Sequence, residues 1–463
     1  MSLSQPQSTA AVLPTLMSAA RTGLSAARAW LADGSDHAQA QRHAGTAFLI
    51  RVASAGIAYA SQALLARWMG SFEFGVYVYV WTWVLVIGGV SSIGLETAAQ
   101  RLVPEYAAEA AAKLRGFLTG SRVLVVGVAT LIGLAGVLGV YALEPWLNHY
   151  EVLPLYLACV CLPLFALTSL QDGIARSYNW VSLGLLPPFV VRPFLIAIAM
   201  IGAYFAGLGN TASTAMGAAI IATWATAIGQ LIALNRKLSK VVDAGAKHYA
   251  VGAWMRTAAP TLLVMSLYLA LSYADVLILQ YFRTPEEVAY YYAASKTLAL
   301  VAFVNYSVAA VTGHKFAEYH VAGNAAQLRS FFAQAIRWTF WPSLAATIFI
   351  LAAGKPLLWL FGPKFVDGYA LLFILSFGLL ARSAIGPAER LLNMLNEQRS
   401  CALVYGATGA LNFALCIALI PSFGVYGAAS ANAFALVAES LLMIFAVKRR
   451  LGFHVFIWKR AAE

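Results

Sequence analysis

Eight ionisable side chains lie inside long apolar segments of this 463-residue chain, where a charge is costly and is usually retained for a function. The cations are Arg51, Arg192, Lys296 and Arg382, and the anions are Glu96, Asp172, Asp275 and Glu439. Arginine offers a planar fork of donors that suits phosphate oxygens, and lysine offers a mobile point charge. We therefore predict that the cations bind an anionic ligand, and that the acids either couple ion movement to its binding or neutralise the cations.

The depth of each charge, counted from the ends of its apolar segment, predicts which charges meet. The three predicted ion pairs are Arg51 with Glu96, Asp172 with Arg192, and Asp275 with Lys296. The alternative, left open here, is that such pairs only hold neighbouring helices in register.

Signatures of enzymes and of metal sites are missing from the sequence. The four cysteines sit inside apolar segments without metal-ligand or disulfide spacing, and the seven histidines fall in predicted loops or in the N-terminal tail. We find no nucleotide-binding loop and no catalytic serine motif. We therefore expect no catalytic residue, no metal and no cofactor.

Composition predicts an integral membrane protein built from helices. Apolar residues make up 61% of the chain and charged residues 11%, against roughly 45–50% and 25% in soluble domains. We predict twelve transmembrane helices, at 45–68, 75–96, 117–143, 154–177, 185–206, 212–234, 258–281, 288–312, 331–353, 367–387, 401–420 and 425–447. The longest connection, 235–257, divides them into two lobes of six helices, 45–234 and 258–447, around a central cavity.

Segments outside the spans are basic. Residues 1–44 form a tail in which apolar residues between Leu13 and Leu31 recur at helical spacing, as in a helix on the membrane surface; a disordered tail is the alternative. Residues 448–463 form a second basic tail.

Lysine and arginine alternate from loop to loop. With the N-terminus inside, 23 of the 31 fall in inner segments, 4 in outer loops and 4 within spans. Because these residues are retained in short cytoplasmic loops, both termini are predicted to be cytoplasmic. The net charge of +12 is then a topology signal, and we expect no nucleic-acid partner.

The two halves of the sequence show a weak internal repeat. Residues 74–77 open span two and 288–291 open span eight, 214 positions later. Internal repeats are typical of transporters whose site lies between the halves near mid-membrane.

An ordered set of short motifs accompanies the spans. The motif residues are Arg67, Gly70, Gly75, Tyr77, Gly94 and Arg101 in the first half and Gly362, Pro421, Gly424 and Gly427 in the second. In order and spacing this set resembles the bacterial polysaccharide flippases of the multidrug/oligosaccharidyl-lipid/polysaccharide exporter (MOP) superfamily. The resemblance covers residues 45 to about 450, with Ala289 where the family often has glycine.

The resemblance implies a function. It implies an inner-membrane transporter that flips an undecaprenyl-pyrophosphate-linked oligosaccharide, such as an O-antigen or exopolysaccharide repeat unit, by alternating access. Its partners would be the lipid-linked oligosaccharide, membrane lipid, and the polysaccharide polymerase and glycosyltransferases. The sugars, the coupling ion and the oligomeric state are left open.

Three alternatives remain at this point. A drug/cation antiporter of the same superfamily shares the plan but is expected to favour acids over cations in its cavity. Lipid II flippases usually carry fourteen spans. A membrane polymerase or ligase needs a large outer loop bearing catalytic residues, and the longest outer loop here, 354–366, holds only Lys355 and Lys364 as basic residues.

Overall fold

The computed structural model describes residues 36–395, 397–453 and 456–457, and this part of the chain contains helices and no strand. The helices are α1 (Asp36–Ser91), α2 (Leu95–Glu109), α3 (Ala111–Leu143), α4 (His149–Ser177), α5 (Val181–Leu186), α6 (Arg192–Phe205), α7 (Ala212–Leu238), α8 (Val251–Phe282), α9 (Pro285–Ala299), α10 (Ala302–Val321), α11 (Ala325–Ala352), α12 (Gly354–Trp359), α13 (Tyr369–Ser383), α14 (Ala388–Met394) and α15 (Gln398–Leu451). Short 3₁₀ turns occupy Glu144–Trp146 and Pro363–Gly368, and a π-helical turn occupies Pro187–Val191. The all-α prediction is confirmed.

The chain divides into two compact units, Met1–Leu49 and Ile50–Glu463. Of the first unit only the beginning of α1 is described, so the surface helix predicted between Leu13 and Leu31 lies outside the described residues. The Arg51 side chain and most of the C-terminal basic tail also lie outside them.

Long apolar helices dominate the second unit. Eight helices of the described part are long and apolar enough to cross a membrane, or nine if the bent pair Val251–Leu269 and Leu271–Phe282 is one span. Two of them cover Val52–Glu109 and Arg399–Leu451, with 58 and 53 residues. At about 1.5 Å per residue, each is more than twice as long as a hydrocarbon core of roughly 30 Å. Each therefore has the length of two crossings, while the total of twelve stays a prediction.

Glycines break these two long helices. Gly70 has φ 79° and Gly424 has φ 56°, and both lie inside runs of otherwise continuous helix. A residue with a Cβ is strained at positive φ, so glycine is the residue that permits the chain to reverse there. The breaks fall between predicted spans one and two and between spans eleven and twelve.

The helix connections gather at two ends of the bundle. At the first, which we call the hairpin end, Gly75 faces Pro285 of α9 and the Arg283 guanidinium donates to the Pro421 carbonyl oxygen at 2.9 Å. The opposite end carries the connection 239–250 and is called the linker end. The four predicted outer cations, Arg67, Arg283, Lys355 and Lys364, all belong to hairpin-end segments. Which end faces the cytoplasm stays a prediction from the lysine and arginine distribution.

The connection between the halves is held against α3. The Arg115 side chain donates to the carbonyl oxygens of Ala246 at 2.9 Å and Asp243 at 3.2 Å, and the His248 amide donates to the Ala112 carbonyl at 2.8 Å. Further along, the fully buried Trp254 packs edge-on against Phe117 of α3. These contacts attach the linker, and with it the first turns of α8, to the N-terminal half.

Candidate functional site

A cavity of about 530 Å³ lies in the C-terminal half, towards the linker end. Its polar lining comes from four helices: Asn305 and Tyr306 of α10, Arg382 and Ser383 of α13, Glu389, Arg390 and Asn393 of α14, and Tyr405 and Glu439 of α15. The wall thus offers two guanidinium groups, two carboxylates, two amides, two phenols and one aliphatic hydroxyl. Such a wall can bind anionic and hydroxyl-rich groups together.

Arg382 is the centre of this wall. Its Nε lies 3.3 Å from Glu439 Oε1, and its Nη2 lies 3.8 Å from Glu389 Oε2. The sequence predicted Arg382 and Glu439 as site residues without bringing them together, and the structure pairs them. Because the distance to Glu389 is long, the Nη2 end of the Arg382 guanidinium interacts only weakly with the protein.

Glu389, Arg390 and Tyr405 line this wall although the sequence did not predict them as site residues. Glu389 and Arg390 lie on α14, a helix of seven residues between predicted spans ten and eleven. The sequence feature that could have indicated them is the polar cluster directly after span ten. Only the packing of α14 against α15 places this cluster beside Arg382.

Lys296 does not form the ion pair that we predicted. Its Nζ lies 4.9 Å from the ring centroid of Tyr292, and it makes no ion pair or hydrogen bond with a residue of the described part. Asp275 instead accepts hydrogen bonds from Tyr291 Oη at 2.5 Å and from the Val276 amide at 2.8 Å. The prediction of an Asp275–Lys296 pair is therefore wrong, because a phenol and a backbone amide satisfy the carboxylate while Lys296 remains only an electrostatic neighbour.

The predicted Asp172–Arg192 pair is also replaced. The Arg176 guanidinium lies 2.5 Å from Asp172 Oδ2 and 2.7 Å from Glu96 Oε1. Arg176 is one helical turn from Asp172 on α4, which makes it the nearer cation. The predicted partner of Glu96, Arg51, cannot be compared because its side chain is outside the described residues.

Arg192, the first residue of α6, contacts α4 two turns before Asp172, at Phe165. Its Cζ is 4.7 Å from the ring centroid of Phe165 and 5.6 Å from that of Trp81. Like Lys296, it is held over aromatic rings rather than by an acid, an arrangement worth about 2 kcal/mol when water is excluded.

A series of aromatic rings connects these two cations across the halves. Centroid distances are 6.2 Å for Phe165–Trp81, 6.2 Å for Trp81–Tyr77, 6.3 Å for Tyr77–Phe74 and 6.1 Å for Phe74–Tyr292. Arg192 lies over the first ring and Lys296 over the last. The motif residue Tyr77, which the resemblance singled out, occupies the middle of this series.

The two halves are in contact at the hairpin end. Gln280 Nε2 donates to Glu151 Oε1 at 2.6 Å, and both side chains are buried. The Arg67 guanidinium lies 4.3 Å from the Trp359 ring and donates to its carbonyl oxygen at 3.4 Å. The Tyr59 hydroxyl lies 3.2 Å from Thr297 Oγ1, next to Lys296. We call these three links the hairpin-end contacts.

Glycine at position 75 permits the closest backbone approach between the halves. A Cβ on Gly75 would lie 1.8 Å from the Pro285 carbonyl oxygen, so Gly75→Ala must displace the start of α9. We expect a loss of about 1–3 kcal/mol in stability, measured as thermal unfolding of the purified protein. Gly56→Ala, on the same helix with no atom within 4 Å of its Cβ, should leave the unfolding temperature unchanged or raise it. Equal effects of the two changes would contradict the tight contact.

Comparison with known proteins identifies the fold. The sequence matches no protein-family model and no curated protein. Among solved structures, the lipid II flippase MurJ in an inward closed conformation has a TM-score of 0.69 at 16% identity, covering 86% of this chain and 87% of its own. An inward-facing multidrug resistance MATE transporter of the MOP superfamily has a TM-score of 0.67 at 14% identity, covering 88% and 94%.

A third similar structure is a MOP superfamily transporter from Pyrococcus furiosus, described by a reverse polarity of its binding pocket. Its TM-score is 0.61 at 14% identity, covering 89% of this chain and 95% of that one. Identities this low establish the fold alone. This chain therefore has the all-helical fold of MOP-superfamily membrane transporters, and its structural relatives are transporters rather than enzymes.

Proposed function

We propose that this protein is an inner-membrane flippase that moves an undecaprenyl-pyrophosphate-linked oligosaccharide to the periplasmic side by alternating access. One observation carries the proposal: Lys296 makes no ion pair or hydrogen bond with a described residue and has Asp275 only as an electrostatic neighbour, at the junction of the halves and on the helix that precedes the Arg382 cavity. The positive charge of such a cation is neutralised when an anionic ligand binds.

The proposed substrate supplies the missing negative charge. Its pyrophosphate would exchange with Glu389 for the weakly held side of the Arg382 fork, while Lys296 contributes a point charge. Arg51, whose position in span one faces the same membrane half by sequence depth, remains a proposed third cation. Asn305, Asn393 and Tyr405 provide donors and acceptors for sugar hydroxyls, and the polyprenyl tail stays in lipid.

Transport would then require the two lobes to rock. In the conformation described here the hairpin-end contacts are closed and the cavity lies towards the linker end. If the linker end is cytoplasmic, as the lysine and arginine distribution predicts, this conformation receives substrate from the inside. Breaking the hairpin-end contacts would release it to the periplasm.

A drug/cation antiporter is the second candidate, because Glu389 and Glu439 in the cavity wall are ligands suited to an organic cation. The two functions differ in what a cell lacking this protein loses. Removal of a flippase should abolish surface polysaccharide and leave lipid-linked repeat units on the inner leaflet, with susceptibility to cationic drugs unchanged; re-expression should reverse both effects. Normal surface polysaccharide together with increased sensitivity to organic cations would overturn the flippase in favour of the antiporter.

A further inference from the structure

The wall of the Arg382 cavity contains a second guanidinium group, which has no acid partner. Arg390 lines this cavity with an exposed side chain, and it makes no ion pair or hydrogen bond with a residue of the described part. Both carboxylates of the wall have protein partners instead. Glu439 and Glu389 lie 3.3 and 3.8 Å from Arg382, and Tyr405 is an electrostatic neighbour of Glu389. The charged group that the wall leaves for a ligand is therefore a cation.

The backbone of α10 makes room for this cation at Gly313. A Cβ on the buried Gly313 would lie 2.6 Å from Arg390 Nε and 3.3 Å from both Cζ and Nη2. Tyr306 and Ala309, seven and four residues earlier on the same helix, also line the cavity. These spacings place all three residues on one helix face. Glycine is less favourable than alanine inside a helix, and here its missing side chain lets the guanidinium lie against the backbone.

The second guanidinium lies on the same wall as the first. Glu389 directly precedes Arg390 on α14, and the Glu389 carboxylate lies 3.8 Å from Arg382 Nη2. Both arginines line one cavity of about 530 Å³. A ligand bound there can therefore contact the weakly held Nη2 end of Arg382 and the unpaired Arg390 together.

We propose that Arg390 binds one phosphate of the substrate's pyrophosphate, with Gly313 as its positioning residue, while Arg382 binds the other phosphate. This inference rests on the proposed flippase function and names the residue that distinguishes a diphosphate from a monophosphate. Guanidinium donors form paired hydrogen bonds with phosphate oxygens, so two such groups on one wall suit a ligand with two phosphates.

Equilibrium binding to the full-length protein in nanodiscs tests the assignment, with geranylgeranyl pyrophosphate and geranylgeranyl monophosphate as probes. We expect the wild-type protein to bind the pyrophosphate more tightly than the monophosphate. Arg390→Gln should lower the pyrophosphate affinity by at least about tenfold and leave the monophosphate affinity nearly unchanged, because the hydrogen bond to the second phosphate is lost. Arg390→Lys should recover part of the loss. Arg399→Gln removes an exposed cation of α15 outside the cavity lining and should bind both probes like the wild type.

Gly313→Ala tests the positioning without removing a charge. The added methyl group must displace the Arg390 guanidinium, which ends a flexible side chain, so the fold should be retained. We expect pyrophosphate affinity to fall about threefold or more, and Gly313→Ala to cause no further loss in the Arg390→Gln protein, because its effect acts through that side chain. Gly406→Ala, on α15 with no atom within 4 Å of its Cβ, should bind like the wild type.

The assignment is overturned if the wild-type protein shows no preference for the pyrophosphate, or if Arg390→Gln binds it at full strength. A loss on Gly313→Ala that persists in the Arg390→Gln protein would reject the positioning role. If Arg390→Gln does not fold, unchanged pyrophosphate binding by Gly313→Ala rejects the assignment. Binding to purified protein is independent of export in cells. Normal surface polysaccharide in cells lacking the protein would therefore overturn the flippase alone, and intact pyrophosphate binding by Arg390→Gln would overturn this assignment alone.

Discussion

Alanine at Lys296 or at Arg382 is expected to lower polysaccharide export by at least about tenfold without lowering the amount of protein in the membrane. Each hydrogen bond to a charged ligand contributes roughly 1.5–3 kcal/mol, which corresponds to about 10- to 150-fold in affinity. The measurement is surface polysaccharide per unit of membrane-resident protein. Arg382→Lys should restore part of the activity, because the charge survives and the planar fork does not. Arg51→Ala is expected to behave like Lys296→Ala.

The paired acids provide the control for Arg382. Arg382→Ala leaves Glu439 buried without its cation, and such a charge can destabilise the protein on its own. Arg382→Ala combined with Glu439→Gln removes that penalty. If the double variant exports normally, Arg382 only neutralises Glu439 and does not bind substrate. Lys364→Ala, which deletes an exposed cation of the hairpin end, should export like wild type.

Cross-linking the hairpin end should stop export almost completely. Cysteines at Arg67 and Trp359 lie on opposite halves, where the guanidinium contacts the indole at 4.3 Å. After the four native cysteines are replaced, a short reducible bifunctional thiol reagent should join them in the conformation described here. Because alternating access requires this contact to open, export should fall on cross-linking and recover on reduction.

A matched pair within one half tests whether cross-linking alone is harmful. Cysteines at Ala112 and His248 join α3 to the linker, whose backbones are already hydrogen bonded at 2.8 Å. Since the linker moves with the N-terminal half, the same reagent should leave export unchanged. Full export from a protein quantitatively cross-linked between positions 67 and 359 would contradict alternating access by opening at this end.

Several features followed from the sequence because they depend on local physical chemistry. Apolar length predicted long membrane helices, and the described part contains eight or nine helices long and apolar enough to cross a membrane. Gly70 and Gly424 were identified from motif spacing, and both have the positive φ that breaks a long helix. The short motifs also pointed to the MOP superfamily, whose fold the solved structures then showed.

The partners of the buried charges were decided only by the tertiary structure. Depth along a span says how far a charge lies from the membrane surface, but not towards which neighbour its helix face is turned. Asp172 therefore forms an ion pair with Arg176 on its own helix, and Asp275 accepts a hydrogen bond from Tyr291, although cations of matching depth were the predicted partners of both acids. The same rotation of helices left Arg192 and Lys296 on aromatic rings, and the return of α14 placed Glu389 beside Arg382. Packing between helices sets these contacts, and no local pattern in the chain encodes it.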